Sequence, residues 1–338
     1  GGQAVVESLK VNDVDTVVGL IGSSTLEILD ALYDSKNIQY IGCHDERSGI
    51  IMSDAYARMK NKHGVFLAGQ AGPGATNTVT GLAQAKAAFS PVVSLAGAVS
   101  SEHEGKDAFQ EIDQQSLFTP VTKKSFKISN TKDIHSVMQE AFKVAITPRM
   151  GPVNINLPRD VMGKTSDFQD PSKYQIDKLP EAKVSSLMKA VELLTKANNP
   201  VIIVGAGIKN NSSHETVLAL AELINAPCCT SPGHGDALPF EHSLNAGQMG
   251  PRGNAVASRL VKEADVILVL GSRLGFNSTF YSYDNINKDA SIIHCEIDEN
   301  SIGRYFPVEV GIFADAKTVA EQLLKMLKSH QAKNEAQK

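Results

Sequence analysis

Asn37-Ile38-Gln39-Tyr40-Ile41-Gly42-Cys43-His44-Asp45-Glu46-Arg47-Ser48-Gly49-Ile50 is the stretch from which the fold is read. Asn37 to Gly42 reads as a short strand. Ser48 to Met59 reads as a helix, and Gly64-Val65-Phe66-Leu67-Ala68 as the next strand. Strand, helix and strand in that order are the unit of a parallel sheet. Glu46 stands where the strand gives way to the helix. Ligands bind at this carboxyl edge of open α/β sheets. With Ser48, Gly49 and Ile50 beside it, the carboxylate is poorly solvated and suited to exchanging a proton near neutral pH. The plainer reading is a helix-start carboxylate favoured by the helix dipole. This stretch alone leaves both open.

Outward from it, Thr16-Val17-Val18-Gly19-Leu20 is a β-branched run that reads as a buried parallel strand. Gly22 allows close backbone approach, and the amides after it at Ser23 can face a ligand. Ser24 and Glu27 have capping-box spacing ahead of Leu26, Leu29 and Leu32. On the other side, Gly72-Pro73-Gly74-Ala75-Thr76-Asn77 makes a tight turn into a helix expected over Ala75 to Ala88. Pro91 to Gly97 is a further strand. A polar loop, Ser100 to Asp113, contains Asp107-Ala108-Phe109-Gln110-Glu111. A helix from Thr131 to Ala145 and a strand ending at Pro158 follow.

Phe168 to Glu181 is polar, holds Pro171 and Pro180, and reads as an interdomain linker. A second α/β series begins with a helix over Ala182 to Ala197 and the strand Pro200 to Val204. Its turn, Gly205-Ala206-Gly207, lacks the third glycine of a dinucleotide fingerprint across Ile208, Lys209 and Asn210. Strands at Asp265 to Leu270 and Ser291 to Ile297 follow, then a helix over Ala316 to Leu327. The charged tail, Lys328 to Lys338, reads as frayed or as a linker. The expectation is an α/β protein with two doubly wound parallel-sheet (Rossmann-like) domains, 1–167 and 182–330.

Composition fits that size. The chain has 338 residues, 42% hydrophobic and 21% charged, enough for two cores. A net charge of −4 gives no footprint for nucleic acid or an anionic membrane. No apolar run approaches the ~18 residues of a membrane span, and the first residues lack the pattern of a signal peptide. Cys43, Cys228, Cys229 and Cys295 have no metal-site spacing and read as free thiols of a cytoplasmic protein.

Gly22-Ser23, His44-Asp45-Glu46-Arg47, Asp54-Ala55-Tyr56-Ala57-Arg58, Gly72-Pro73-Gly74-Ala75-Thr76-Asn77 and Ala108-Phe109-Gln110-Glu111 together resemble thiamine-diphosphate enzymes of the acetolactate synthase-like branch. Pro120-Val121-Thr122-Lys123 and the run from Gly151 to Val161 extend the likeness, which spans the pyrimidine-binding and central domains. By this resemblance Glu46 is the catalytic acid that hydrogen-bonds N1′ of the cofactor's aminopyrimidine. Asp45 and Arg47 replace the family's histidine and glutamine around it. Gln110 would meet substrate. Gly22, Ser23, Gly72, Pro73, Gly74 and Asn77 would line the cofactor. The family's Gly-Asp-Gly motif for diphosphate and Mg²⁺ does not occur in these residues. The expectation is therefore that the C-terminal diphosphate-binding domain is absent, that the metal site lies on that missing domain or on a separate subunit, and that this chain alone is inactive.

The resemblance further implies a homodimer or tetramer and a 2-oxo acid substrate such as pyruvate. It leaves FAD open as a second cofactor at Gly205-Ala206-Gly207, Gly271-Ser272-Arg273 and Glu296-Ile297-Asp298. Ser301-Ile302-Gly303-Arg304 and Phe306 to Gly311 are similar instead to sulfoacetaldehyde acetyltransferase, which acts on an aldehyde. A non-catalytic or nucleotide-binding subunit is the remaining alternative.

Overall fold

Two six-stranded sheets, parallel throughout, organise the computed structural model, which describes residues 1–209 and 213–336 and side chains up to residue 332. The chain divides into two units, Gly1–Asp177 and Lys178–Lys338.

In the first unit the strands are β1 Thr16–Leu20, β2 Gln39–Gly42, β3 Gly64–Ala68, β4 Val92–Ala98, β5 Lys124–Lys127 and β6 Val153–Pro158. Their order is β2-β1-β3-β4-β6-β5. The helices are α1 Gly2–Val11, α2 Leu26–Tyr33, α3 Glu46–Lys60, α4 Pro73–Asn77, α5 Val79–Ala88, α6 Gln114–Phe118, α7 Ile134–Ile146 and α8 Arg159–Gly163. The central strands are mostly apolar on both faces because helices cover both, with Ser94, Asn154 and Asn156 as buried polar exceptions. Val17, Leu67, Leu95 and Ile155 pack with Leu9, Ile28 and Phe142 of α1, α2 and α7. Val18, Phe66, Ala96 and Ala68 face the other way, onto Ile50 of α3, Leu82 of α5 and Phe118 of α6.

Local chemistry moves several boundaries. Asp45 is the N-cap of α3, accepting from the amides of Arg47 (2.8 Å) and Ser48 (3.3 Å), so the helix starts at Glu46 rather than Ser48. The capping box at Ser24 does not form. Ser23–Thr25 is a 3₁₀ turn, and the Ser24 hydroxyl accepts from the Ala71 amide at 3.2 Å instead. The helix expected from Ala75 breaks at Thr78, whose hydroxyl donates to the Ala75 carbonyl at 2.7 Å. Residues 164–183 carry no regular structure. Within that stretch, Phe168 meets the His135 ring at 5.1 Å and Tyr174 meets the His63 ring at 5.4 Å.

The second unit holds β7 Pro200–Val204, β8 Cys228–Thr230, β9 Asn245–Gln248, β10 Val266–Leu270, β11 Ser291–Glu296 and β12 Val310–Phe313. Their order, β12-β11-β10-β7-β8-β9, is that of a dinucleotide-binding sheet. Its helices are α9 Val184–Lys196, α10 Ala206–Lys209, α11 His214–Ile224, α12 Ala255–Glu263, α13 Phe276–Thr279 and α14 Ala316–Ala336. The charged tail is therefore helical as far as Ala336, where fraying was expected after Leu327. Asn210 and the last two residues lie outside the described residues.

Candidate functional site

In the first unit the strand order reverses between β1 and β3, and the candidate residues gather at the carboxyl ends of these strands and their neighbours. Gly22 follows β1, Glu46 follows β2 and Gln70 follows β3. At the reversal the loops after β1 and β3 touch. A Cβ on Gly22 would lie 2.3 Å from the Gly69 carbonyl carbon, and the Ser24 amide donates to the Gly69 carbonyl at 3.0 Å.

Glu46 is only 7% exposed although it is the first residue of α3. Asp45 takes the capping role, which leaves the Glu46 carboxylate free to turn inward. Asn77 Nδ2 donates to its Oε2 at 3.0 Å. No hydrogen bond from a described residue reaches Oε1. Gly74 flanks that oxygen: a Cβ there would stand 3.3 Å from Oε1 and 3.2 Å from the Gln70 Cβ. The site thus brings Glu46, Gly74 and Asn77 together, with one carboxylate oxygen fixed and the other open. The helix break at Thr78 ends α4 at Asn77, the residue whose side chain reaches back to Glu46.

Asp45 and Arg47 lean on each other. The guanidinium Nη2 lies 2.9 Å from Asp45 Oδ2, and this hydrogen bond to Arg47 holds the Asp45 carboxyl at about 2. Both side chains pair at the surface.

A second cluster adjoins the first across the Gly72-Pro73-Gly74 turn. The Ser23 amide and hydroxyl donate to Gln70 Oε1 at 3.1 and 3.0 Å. Gln70 Nε2 donates to Gln110 Oε1 at 2.5 Å. Gly72 has φ +64°, and a Cβ on it would strike the Gln110 carbonyl at 2.3 Å, so glycine is required there for both reasons. Pro73 starts α4 at the first-turn position where its missing N–H costs nothing. Beyond Gln110 lies an open cavity of about 360 Å³ lined by Gly105, Asp107, Ala108, Gln110 and Glu111. Glu111 accepts from the Gly105 amide at 2.5 Å and the Ala108 amide at 3.0 Å, tying this loop into a knot. Gln70 was not singled out from the sequence. Its signal was its place: a polar side chain directly after a buried strand, in the position relative to β3 that Glu46 approaches relative to β2.

A doubly wound parallel sheet, with an inward-turned acid at the carboxyl end of the strand next to its reversal point, defines the class of open α/β domains. Comparison with known proteins narrows it. Residues 1–117 match the thiamine pyrophosphate enzyme N-terminal TPP-binding domain, and residues 187–323 match the thiamine pyrophosphate enzyme central domain. The probable acetolactate synthase large subunit of Methanocaldococcus jannaschii is 36% identical over 334 residues, covering 97% of this chain and 56% of that protein. The acetolactate synthase large subunit of Corynebacterium glutamicum is 35% identical, covering 99% of this chain and 54% of its own length. Sulfoacetaldehyde acetyltransferase of Alcaligenes xylosoxydans is also 35% identical, over 96% of this chain and 54% of that protein. The chain belongs to the thiamine-pyrophosphate enzyme family through its N-terminal and central domains. It spans about half the length of the curated relatives it matches.

Among the described residues no group of three or more His, Cys, Asp or Glu could hold a metal ion. No described helix is long and apolar enough to cross a membrane.

Proposed function

We propose that this chain is the N-terminal and central part of a thiamine-diphosphate-dependent enzyme of the acetolactate synthase type. Such an enzyme decarboxylates a 2-oxo acid such as pyruvate and transfers or releases the remaining fragment. The single observation that supports this most is the Glu46 carboxylate, buried, anchored at Oε2 by Asn77 and open at Oε1 beside a glycine. An inward acid with one free oxygen fits the protonated N1′ of an aminopyrimidine. A Cβ at Gly74 would crowd the same space. When bound, thiamine diphosphate supplies carbanion chemistry at its C2. Glu46 would hold the proton at N1′, and Asn77 would keep the carboxylate in place. Gly72, Pro73 and Gly74 would form the wall beside the ring, with Gly22 and Ser23 at the reversal point. Gln110, held by Gln70, would face substrate from its loop.

The diphosphate and Mg²⁺ are proposed to sit on a further domain or subunit, because these residues offer no metal-holding group. At the Gly205 turn a Cβ would lie 2.4 Å from the Gly271 carbonyl oxygen, so these two loops pack backbone to backbone as Gly22 and Gly69 do in the first unit. The second unit is where FAD, the second cofactor left open by the sequence, would sit, and the proposal assigns no chemical step to it. A homo-oligomer is proposed on the outer face of α3, where Ile51, Met52 and Met59 are exposed. The second reading, acetyl transfer from sulfoacetaldehyde, is supported by the 35% identity to that transferase.

Glu46→Gln keeps size but cannot serve as the acid. The rate of C2 proton exchange in thiamine diphosphate, followed by NMR on the enzyme that contains this chain, should fall about 10²- to 10⁴-fold. An unchanged rate would end the assignment of Glu46. Turnover of pyruvate against sulfoacetaldehyde separates the two substrates.

A further inference from the structure

Beneath α3, α5 and α6 runs a row of amides that an apolar sheet face would not need. Asn154 and Asn156 are alternate residues of β6, so both point to this face. They are 0% and 3% exposed. Asn154 Nδ2 donates to Asn156 Oδ1 at 3.0 Å. Asn156 Nδ2 donates to Gln115 Oε1 and to the Phe126 carbonyl, both at 3.1 Å. Gln114 Nε2 donates to the same Asn156 Oδ1 at 3.1 Å and to the Gly97 carbonyl at 3.2 Å. Its Oε1 accepts from the Gly72 amide at 3.3 Å. The row therefore runs from the interior of β6 to the first residue of the Gly-Pro-Gly turn.

Buried asparagines in a central strand have poor strand propensity and risk unpaired polar atoms. Ser94 Oγ and Asn154 Oδ1 are such atoms, on strands paired in register. A sheet needing only stability would place Val or Ile here. The amides fix something that apolar side chains cannot: the direction of one backbone N–H.

We infer that Gln114, oriented by Asn156, is a positioning residue that sets the Gly72 peptide and through it the turn that carries Gly74 to Glu46. Gln114 sits four residues after Gln110, and Gln110 is tied to Gln70 at the other end of the same turn. The loop and the turn are thereby clasped twice, by Gln70–Gln110 and by Gln114–Gly72. Gly72 accepts no side chain because the Gln110 carbonyl would lie 2.3 Å from its Cβ, so nothing on Gly72 itself can fix that peptide. The inference rests on the site proposed above, but the clasp does not depend on which ligand fills it.

The test uses amide hydrogen exchange on the full chain, read residue by residue. Gln114→Met keeps length and removes both the acceptor and the donors. The Gly72 amide should exchange about tenfold faster, while the amides of β4 and β6 keep their protection. Gln114→Glu keeps an acceptor for the Gly72 amide but turns a carboxylate oxygen onto the Gly97 carbonyl and Asn156 Oδ1, so the protection of that amide should fall between those of the unchanged chain and Gln114→Met. Unchanged exchange at Gly72 in Gln114→Met would overturn the inference. So would a loss spread across β4 and β6 in both variants, which would make Gln114 a packing residue only. The Glu46→Gln exchange experiment fails or succeeds separately, because it reads cofactor chemistry and not the Gly72 amide.

Discussion

The two units place a buried glutamate at the same kind of edge and treat it differently. Glu46 begins a helix after β2, and its Oε1 faces the space beside Gly74. Glu296 ends β11 in the second unit, is 4% exposed, and accepts from the next amide, that of Ile297, at 3.0 Å. Both reversal points are closed by touching glycine backbones, Gly22 on Gly69 and Gly205 on Gly271. A shared topology thus provides a crevice in each unit. What differs is the partner: a side chain of the neighbouring turn, Asn77, holds Glu46, and the backbone amide of Ile297 holds Glu296.

The largest effect expected in solution is the response of the first unit to acid. His63 lies between Phe142 and Tyr174 of the first unit, and its Nε2–H donates to the Phe142 carbonyl at 3.0 Å. Burial lowers its pKa from 6.5 to about 4, with the nearby Lys173 charge adding to the effect and the Phe142 carbonyl opposing it. A folded-state pKa below the unfolded one means that the neutral form is favoured by folding. The contribution is complete above pH 6.5 and is lost as pH falls through 6.5 towards 4. That shift corresponds to about 3 kcal/mol. His63→Gln keeps a donor and cannot titrate. Stability of the first unit, measured between pH 7 and 4 by hydrogen exchange, should fall less steeply in the variant. Equal slopes would show that His63 does not carry the acid response. His294 in the second unit is also lowered by burial, so that unit should keep its own acid sensitivity in the His63 variant.

The glycine contacts give the next effect. Gly22→Ala and Gly205→Ala each drive a methyl into backbone, and each should destabilise its own unit by about 2 to 3 kcal/mol. Gly275→Ala, with nothing within 4 Å of its Cβ and φ at −74°, is the control and should be close to neutral. Melting curves of the three variants decide this. A tolerated Gly205→Ala would mean that the two loops of the second unit separate readily enough to admit a methyl.

What could be read from the sequence follows the same division between backbone pattern and side-chain partner. β1, β3 and β7 were legible to the residue because buried parallel strands are unbroken apolar runs bounded by glycine or polar turns. β5 and β9 were not, since Lys124-Ser125-Phe126-Lys127 and Asn245-Ala246-Gly247-Gln248 are short and have no apolar stripe. They form only by pairing with a neighbour already in place. The unusual start of α3 marked Glu46. Asn77 was drawn from resemblance, and its bond to Glu46 depends on a helix break set by the Thr78 hydroxyl. Gln70 and Gln114 act through partners 40 and 42 residues away, a relation no local spacing records.

The smallest expected effect is the most direct test of the contrast. Glu296→Gln is the same substitution as Glu46→Gln, made at the corresponding edge of the other sheet. The amide oxygen of glutamine can still accept from the Ile297 N–H, so one bond is weakened rather than removed. The loss should be about 1 kcal/mol of stability in the second unit. Turnover and C2 proton exchange in the enzyme that contains this chain should change by less than about twofold, because Oε1 of that carboxylate is engaged with its own backbone and the site proposed for the aminopyrimidine lies in the first unit. If exchange instead falls by a hundredfold, the setting of Glu46 beside Asn77 and Gly74 is not what separates the two edges. A drop in pyruvate turnover with normal C2 exchange would mean something else: that the second unit acts on substrate, after the proton has left. Measuring both rates on the same variant separates these outcomes, and comparing them with Glu46→Gln assigns the proton to one glutamate.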